Sequence, residues 1–369
     1  MSKTTIAAVV HDRGAPFSLE EVQLDDPRPN EVVVRMVATG LCHTDLSVRS
    51  GVIPFPVPAV LGHEGAGIVE EVGSAVTRVK PGDHVLASFT SCGTCDHCIA
   101  GHTAYCHDFL PMNLIGGQRT DGSFTISQGG TPLNAHFFGQ SSLARHALMD
   151  ERSLVKVSPD APLKMLAPLG CGIQTGTGAV LNVLKPEPGS TVVVFGAGGV
   201  GLSAVMGAAL SAVSRIVVVD LVASRLQLAR ELGATDTIDA SSTDVLEALQ
   251  ELSGGKGVPY TIECTGILDV VKQAVMALGP MGTCALIGAP PAFAPCEFPV
   301  TFMLDGRTIT GITEGDSTTE TFIPALVKLY EMGKLPLEKL IRHYPFEQIE
   351  QAAADAHAGL TIKPVLVYD

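Results

Sequence analysis

The sequence predicts an α/β plus β chain: a β-rich domain, split in two, with a doubly wound parallel sheet inserted between its parts. Three observations carry this. From Ile6 to about Val85, β-branched runs such as Val32-Val33-Val34 and Ala66-Gly67-Ile68-Val69 alternate with turns of the Lys80-Pro81-Gly82-Asp83 kind, the texture of short strands. From about Gly189, strand-like and helix-like segments alternate. After about Thr313, a helical stretch from Phe322 to Met332 leads to a terminal strand, Val365 to Tyr368, of the first kind.

The alternating region is the most regular. An apolar run Thr191 to Phe195, a glycine turn, a helical Leu202 to Leu210 and a strand Ile216 to Asp220 make a β-α-β unit. A helix Ser224 to Leu232, a strand near Tyr260 to Cys264, a helix Leu268 to Leu278 and a strand Thr283 to Gly288 continue it. Such alternation calls for a parallel sheet covered on both faces. The divisions fall at 1–172, 173–313 and 314–369, with a cysteine-rich loop at 92–106 inside the first. At 369 residues the chain exceeds what one hydrophobic core usually supports, which agrees with two domains.

With 46% hydrophobic residues, 17% charged residues and a mean hydropathy of +0.31, the chain is not of the disordered class. No run of about 20 apolar residues escapes interruption by glycine, proline or charge, so no membrane span is expected. The start, Met1-Ser2-Lys3-Thr4-Thr5, carries neither the apolar core of a secretory signal nor an Arg-rich presequence, and the cytoplasm is the expected compartment. A net charge of −14 repels polyanions and argues against a nucleic-acid partner. The nine cysteines are odd in number and five fall between Cys42 and Cys106, which favours metal over disulfides.

Gly196, Gly198 and Gly201 form a G-x-G-x-x-G turn, with Gly199 and Val200 between them, directly after an apolar strand and before a helix. The first glycine permits the tight turn, the second lets backbone approach a pyrophosphate, and the third lets helix and strand pack closely. The helix N-terminus adds N–H donors and partial positive charge. Asp220 ends the next strand at the offset where a carboxylate binds the ribose 2′-hydroxyl, and it opposes a 2′-phosphate, so NAD is expected rather than NADP. Gly288, at the end of a later strand, joins the expected cofactor positions.

Cys92, Cys95, Cys98 and Cys106 place four thiols in one loop. C-x-x-C spacings aim two sulfurs at one ion, and four thiolates close a tetrahedron around zinc with no open position, the pattern of a structural site. An iron–sulfur cluster also takes four cysteines. A nucleic-acid zinc ribbon does too, but the sparse Lys and Arg near this loop speak against it. Three further residues stand apart beside glycines or turns: Cys42 in Gly40-Leu41-Cys42-His43-Thr44-Asp45, His63 in Gly62-His63-Glu64-Gly65, and Cys171 in Gly170-Cys171-Gly172. Two thiolates and an imidazole make a three-ligand zinc set whose fourth position is open. Taken singly, a buried cysteine is more often a small hydrophobe.

With these motifs in order, the chain resembles the zinc-containing medium-chain alcohol dehydrogenases along nearly its full length, most closely the aryl (benzyl) alcohol dehydrogenase branch. Gly62-His63-Glu64-Gly65-Ala66-Gly67 and Gly170-Cys171-Gly172-Ile173-Gln174-Thr175-Gly176 carry the resemblance together with the Cys42 segment, the cysteine loop and the glycine turn. It implies a GroES-like β-rich catalytic domain with an inserted Rossmann domain. It further implies two zinc ions per chain: a catalytic one on Cys42, His63 and Cys171, and a structural one in the loop. Asp45 resembles the carboxylate that fixes the ligand histidine's tautomer, and Glu64 an acid that approaches the metal transiently. His43 resembles a pyrophosphate contact, Thr175 and Val200 nicotinamide contacts, and Arg225 an adenosine-ribose neighbour. Thr44 resembles the hydroxyl that relays the proton, and Ser47 stands where many relatives end that relay on a histidine.

The activity so implied is NAD-linked oxidation of primary, aromatic or allylic alcohols to aldehydes by hydride transfer from a zinc-bound alkoxide. Gly51 and His43 replace an acid and an arginine common in glutathione-dependent formaldehyde dehydrogenases. An apolar slot of Phe89, Ile53, Phe55 and Ala289 suits benzylic or allylic substrates. Core packing accounts equally well for Ile53 and Phe55, and a different apolar set would accept terpenoid or short aliphatic alcohols. A zinc-free quinone or enoyl reductase and a non-catalytic NAD-binding protein are the readings from other classes. The resemblance implies a homodimer or homotetramer, and the insertion from His107 to Gln140 leans toward the dimer.

Overall fold

The computed structural model describes residues 3–291 and 293–369, which divide into two compact units. Of the described residues, the first holds 3–171, 318–332 and 337–369, and the second holds 172–291, 293–317 and 333–336. The chain therefore passes from one unit to the other between Cys171 and Gly172, and residues 314–317 belong with the α/β unit.

The first unit is built on two sheets. In the larger, the long strand Glu31–Gly40 runs antiparallel to Gly65–Val72, which in turn pairs with His84–Ala87. The C-terminal strand Lys363–Val367 adds antiparallel to the other side of Glu31–Gly40, opposing Val365 to Gly40. The split domain is thus closed by backbone hydrogen bonds between its first and last segments. Strand Lys3–Val10 anchors the second sheet against Ser18–Leu24 and Ala59–Val60. Val9, Val34, Leu61, Phe137 and Leu366 lie buried in a continuous core, as the alternating, β-branched text requires.

One stretch of the region read as all strand is helical: His43–Ser50 forms an α-helix, ended by Gly51 in the left-handed conformation at φ +84°. Its polar sequence shows no apolar stripe, so periodicity did not reveal it. Its start is set by Asp45, whose Oδ2 accepts the Cys42 N–H at 2.9 Å.

The second unit is a six-stranded, fully parallel sheet in the order Asp236–Asp239, Arg215–Asp220, Thr191–Phe195, Val258–Glu263, Leu278–Leu286, Thr308–Gly311. Strand order reverses at Thr191–Phe195, and in such sheets the crevice beyond the strand ends at that point receives ligands. Helix Gly199–Ala209 leaves the glycine turn there, and Val193, Phe195, Val217 and Leu249 form the buried core on one face.

Gly201 fits its place only without a side chain, because a Cβ there would lie 1.8 Å from the Gly196 carbonyl oxygen. Gly201→Ala should destabilise the protein by about 1–3 kcal/mol, as overpacking of a tight site does. Thermal or urea denaturation checks this.

Candidate metal centres and dinucleotide turn

Strand pairing brings the separated ligands together. Thr39, near the end of Glu31–Gly40, pairs with Gly65 at the start of the next strand, so Cys42 and His63 emerge at the same end of the sheet. Ala87 ends the adjoining strand at this same end, and Gly170 packs directly on it; a Cβ on Gly170 would meet the Ala87 oxygen at 2.0 Å. The Ser88 hydroxyl donates to the Gly170 carbonyl at 2.6 Å and completes the approach of Cys171. Ligand atoms of Cys42, His63, Glu64 and Cys171 all lie within 4.8 Å of one another.

The His63 ring is held from three sides. Its Nδ1 lies 3.1 Å from Asp45 Oδ1, which also accepts the Gly62 N–H at 3.0 Å. Phe138 stacks on it at 4.6 Å between centroids, and Phe137 meets it edge-on at 5.3 Å. Phe138 adopts φ +53°, a left-handed conformation costly for a bulky residue, and its ring lies against the imidazole. The remaining nitrogen, Nε2, is buried and has no hydrogen-bond partner. A buried imidazole nitrogen without a partner costs free energy unless something binds it. Two thiols beside that nitrogen make a donor set suited to a borderline-soft divalent ion such as zinc. A hydrogen bond with Cys171 holds the Cys42 thiol well below the usual thiol range, helped by the Lys363 and His63 charges and opposed by burial. Thiolate is the form that binds metal.

Several contributors were not legible in the sequence. Gln140 donates to the His63 carbonyl at 2.9 Å and the Ser88 carbonyl at 3.0 Å, and accepts the Gly65 N–H at 3.1 Å. Lys363 pairs with Glu64 at 2.7 Å, both side chains being buried. Neither lies near its partners in sequence; the one local signal is a lysine opening an otherwise apolar C-terminal strand. Thr44 is half-buried in the first turn of its helix, with its hydroxyl oxygen 3.7 Å from Cys42 Sγ, whereas His43 is exposed. Phe55 packs edge-on against Phe137 at 5.1 Å, Phe89 is buried, and Ile53 is partly buried against the same core. Ala289 is exposed and belongs to the other unit.

The sulfur atoms of Cys92, Cys95, Cys98 and Cys106 also lie within 4.8 Å of one another. Cys92 and Cys98 sulfurs are 3.9 Å apart, against about 3.8 Å for two sulfurs at ~2.3 Å from one tetrahedral ion. The cage therefore fits a single ion. Backbone N–H groups point at the sulfurs: Cys95 donates to Cys92 Sγ at 3.4 Å and Cys92 to Cys106 Sγ at 3.3 Å. The Thr94 N–H, the largest influence, pulls the Cys92 thiol down to about 6, while burial pushes Cys106 up to about 12.

In the α/β unit, Gly196 takes φ +94° and its neighbour Ala197 donates its N–H to Asp220 Oδ2 at 2.6 Å. Asp220 also accepts the Val222 N–H at 2.9 Å, so the carboxylate expected beside a ribose already clips the glycine turn to the next strand. Thr175 lies on helix Gly172–Gly178, which packs so closely on helix Gly199–Ala209 that a Cβ on Gly176 would meet the Val200 oxygen at 2.1 Å. Arg225, on helix Ala223–Glu231, has a buried Nε with no hydrogen-bond partner. Gly288 lies against the Gly266 N–H and the Glu263 carboxylate, 2.0 Å and 2.7 Å from where its Cβ would be.

Known proteins place this architecture. A model of the alcohol dehydrogenase GroES-like domain matches residues 28–159, and a model of zinc-binding dehydrogenases matches residues 199–330. A geraniol dehydrogenase from Castellaniella defragrans is 43% identical over 364 residues, spanning 98% of this chain and 97% of its own. The crystal structure of benzyl alcohol dehydrogenase from Acinetobacter calcoaceticus superposes with a TM-score of 0.96 at 45% identity, covering all of both chains. An alcohol dehydrogenase zinc-binding domain protein from Burkholderia ambifaria gives 0.96 at 50% identity over 100% of this chain and 99% of that one. A GroES-like unit joined to an NAD-binding α/β unit defines a medium-chain dehydrogenase. The chain belongs to the zinc-containing alcohol dehydrogenase family of that class. Among the described residues, no helix is long and apolar enough to cross a membrane.

Asp45→Asn turns one of the two oxygens that accept from the Cys42 N–H, the Gly62 N–H and His63 into a donor. Metal held by Cys42, His63 and Cys171 should bind about 10–100-fold more weakly, read as metal content after dialysis against graded chelator, with the four-cysteine site unaffected.

Proposed function

We propose that the chain is an NAD-dependent zinc alcohol dehydrogenase oxidising primary aromatic or allylic alcohols to aldehydes. The observation that carries this reading is the gathering of Cys42 and Cys171 with His63, whose Nε2 is buried without a hydrogen-bond partner, a set of three zinc donors one short of a tetrahedron. Zinc bound there supplies Lewis acidity that brings an alcohol's ionisation toward neutral pH.

The chain's own residues do the rest. Asp45 accepts from His63 Nδ1, which leaves Nε2 free as the ligand nitrogen. Thr44, close to Cys42, takes the proton from the substrate hydroxyl and passes it on, and Ser47, one helical turn further, is a hydroxyl in reach of the same helix face. The glycine turn would hold the pyrophosphate of NAD, whose nicotinamide would supply the hydride acceptor, and Asp220 would exclude a 2′-phosphate. The preference for a primary alcohol with a neighbouring π-system rests on the relatives. The names of the geraniol and benzyl alcohol relatives agree, since both substrates are primary alcohols with the hydroxyl carbon next to a π-system. The four-cysteine loop holds a second, structural zinc, and the enzyme works as a homodimer or homotetramer in the cytoplasm.

Benzyl alcohol and geraniol should reduce NAD with kcat/KM at least about tenfold above ethanol, and NADP should be a poor acceptor; reduction with none of these alcohols would overturn the assignment. Purified protein should carry two zinc per chain, whereas one would favour a zinc-free reductase with a structural loop. Thr44→Ala should lower kcat by about 100-fold or more with both zinc retained, measured by steady-state kinetics beside metal analysis.

A further inference from the structure

We propose that Lys363 is a positioning residue of the metal centre: its ammonium holds the Glu64 carboxylate aside, so that three protein groups ligate the ion and the fourth place stays open to substrate. This rests on the zinc reading above.

Glu64 follows the ligand His63, and one of its oxygens lies within 4.8 Å of the donor atoms of Cys42, His63 and Cys171. A carboxylate is a competent zinc ligand, and two cysteines, a histidine and a glutamate would fill a tetrahedron. The centre would then be of the closed, structural kind. Both oxygens are instead engaged by one group, with Lys363 Nζ donating to Oε1 at 2.7 Å and to Oε2 at 3.0 Å. Glu64 is 0% exposed and Lys363 only 4%, so the pair meets without water to weaken it.

The surrounding backbone is shaped to this pair. Lys363 lies two residues before Val365, the partner of Gly40, and positions two apart share one face of a strand. Gly40 leaves the space: a Cβ there would fall 1.9 Å from Glu64 Oε2. The carboxylate is thus seated against a bare backbone with an ammonium across its open edge.

The charges explain why an ammonium is needed. Two thiolates balance the charge of a divalent ion, so Glu64 brings a further buried negative charge to the centre. A buried anion without a partner is strongly destabilised and takes the nearest positive charge. Lys363 supplies one, with three donors and no acceptor of its own. Removing it directs the carboxylate to the ion.

The test uses whole protein with cobalt(II) in place of zinc, whose visible bands report its ligands. Lys363→Met should change the bands of the catalytic equivalent, slow its loss to chelator about tenfold and lower kcat at least about tenfold, with the melting temperature showing a folded chain. The double variant Glu64→Gln with Lys363→Met should regain the original bands and retention. Original bands and retention in Lys363→Met, or altered bands persisting in the double variant, would each overturn the proposal. Uptake of one cobalt per chain rather than two would overturn the zinc reading as well.

Discussion

A single buried carboxylate organises the first unit's chemistry. Asp45 is 0% exposed, yet its two oxygens reach the Cys42 N–H, the Gly62 N–H and the His63 ring. A buried charge is tolerated only when its hydrogen-bonding capacity is met, and here the groups that meet it belong to the two segments carrying Cys42 and His63. The helix start at Cys42, the turn before His63 and the orientation of the imidazole are one constraint. Whatever fixes one fixes the others.

That constraint works because the sheet has already done the coarse placement. Antiparallel pairing of Thr39 with Gly65 and of Ala66 with Leu86 brings three strand ends to one edge. The side chains that finish the job, Gln140 and Ser88, bind backbone carbonyls rather than one another. Their effect is to hold the chain segments that carry His63 and Cys171. A site built on strand ends and short turns loses little order when it binds an ion.

The parts legible in the sequence were those whose chemistry is local. Four cysteines in fifteen residues and a glycine turn between strand and helix each declare themselves within a short window, because their function needs that spacing. Most α/β strands and helices were readable for the same reason, although the short strand Asp236–Asp239 and the edge strand Thr308–Gly311 lack a strong apolar pattern and were not read, and helix Val245–Leu252 was not read despite burying Val245 and Leu249. The helix His43–Ser50 was hidden because its mostly polar residues form no apolar face. Lys363 and Gln140 act 299 and 77 residues from their partners, and no local pattern encodes such pairs. The aromatic flank of His63 was invisible for a further reason: Phe138 adopts a backbone conformation its residue type disfavours.

The strand Lys363–Val367, stitched beside Glu31–Gly40, has a consequence for biogenesis. Domains fold as units while the chain is being made, N-terminal parts first. The first unit is an exception by construction, since its sheet lacks a strand, and Glu64 its counter-charge, until residues 363–367 have left the ribosome. The parallel α/β unit is encoded wholly before that strand, so the nascent chain can complete its second unit before its first.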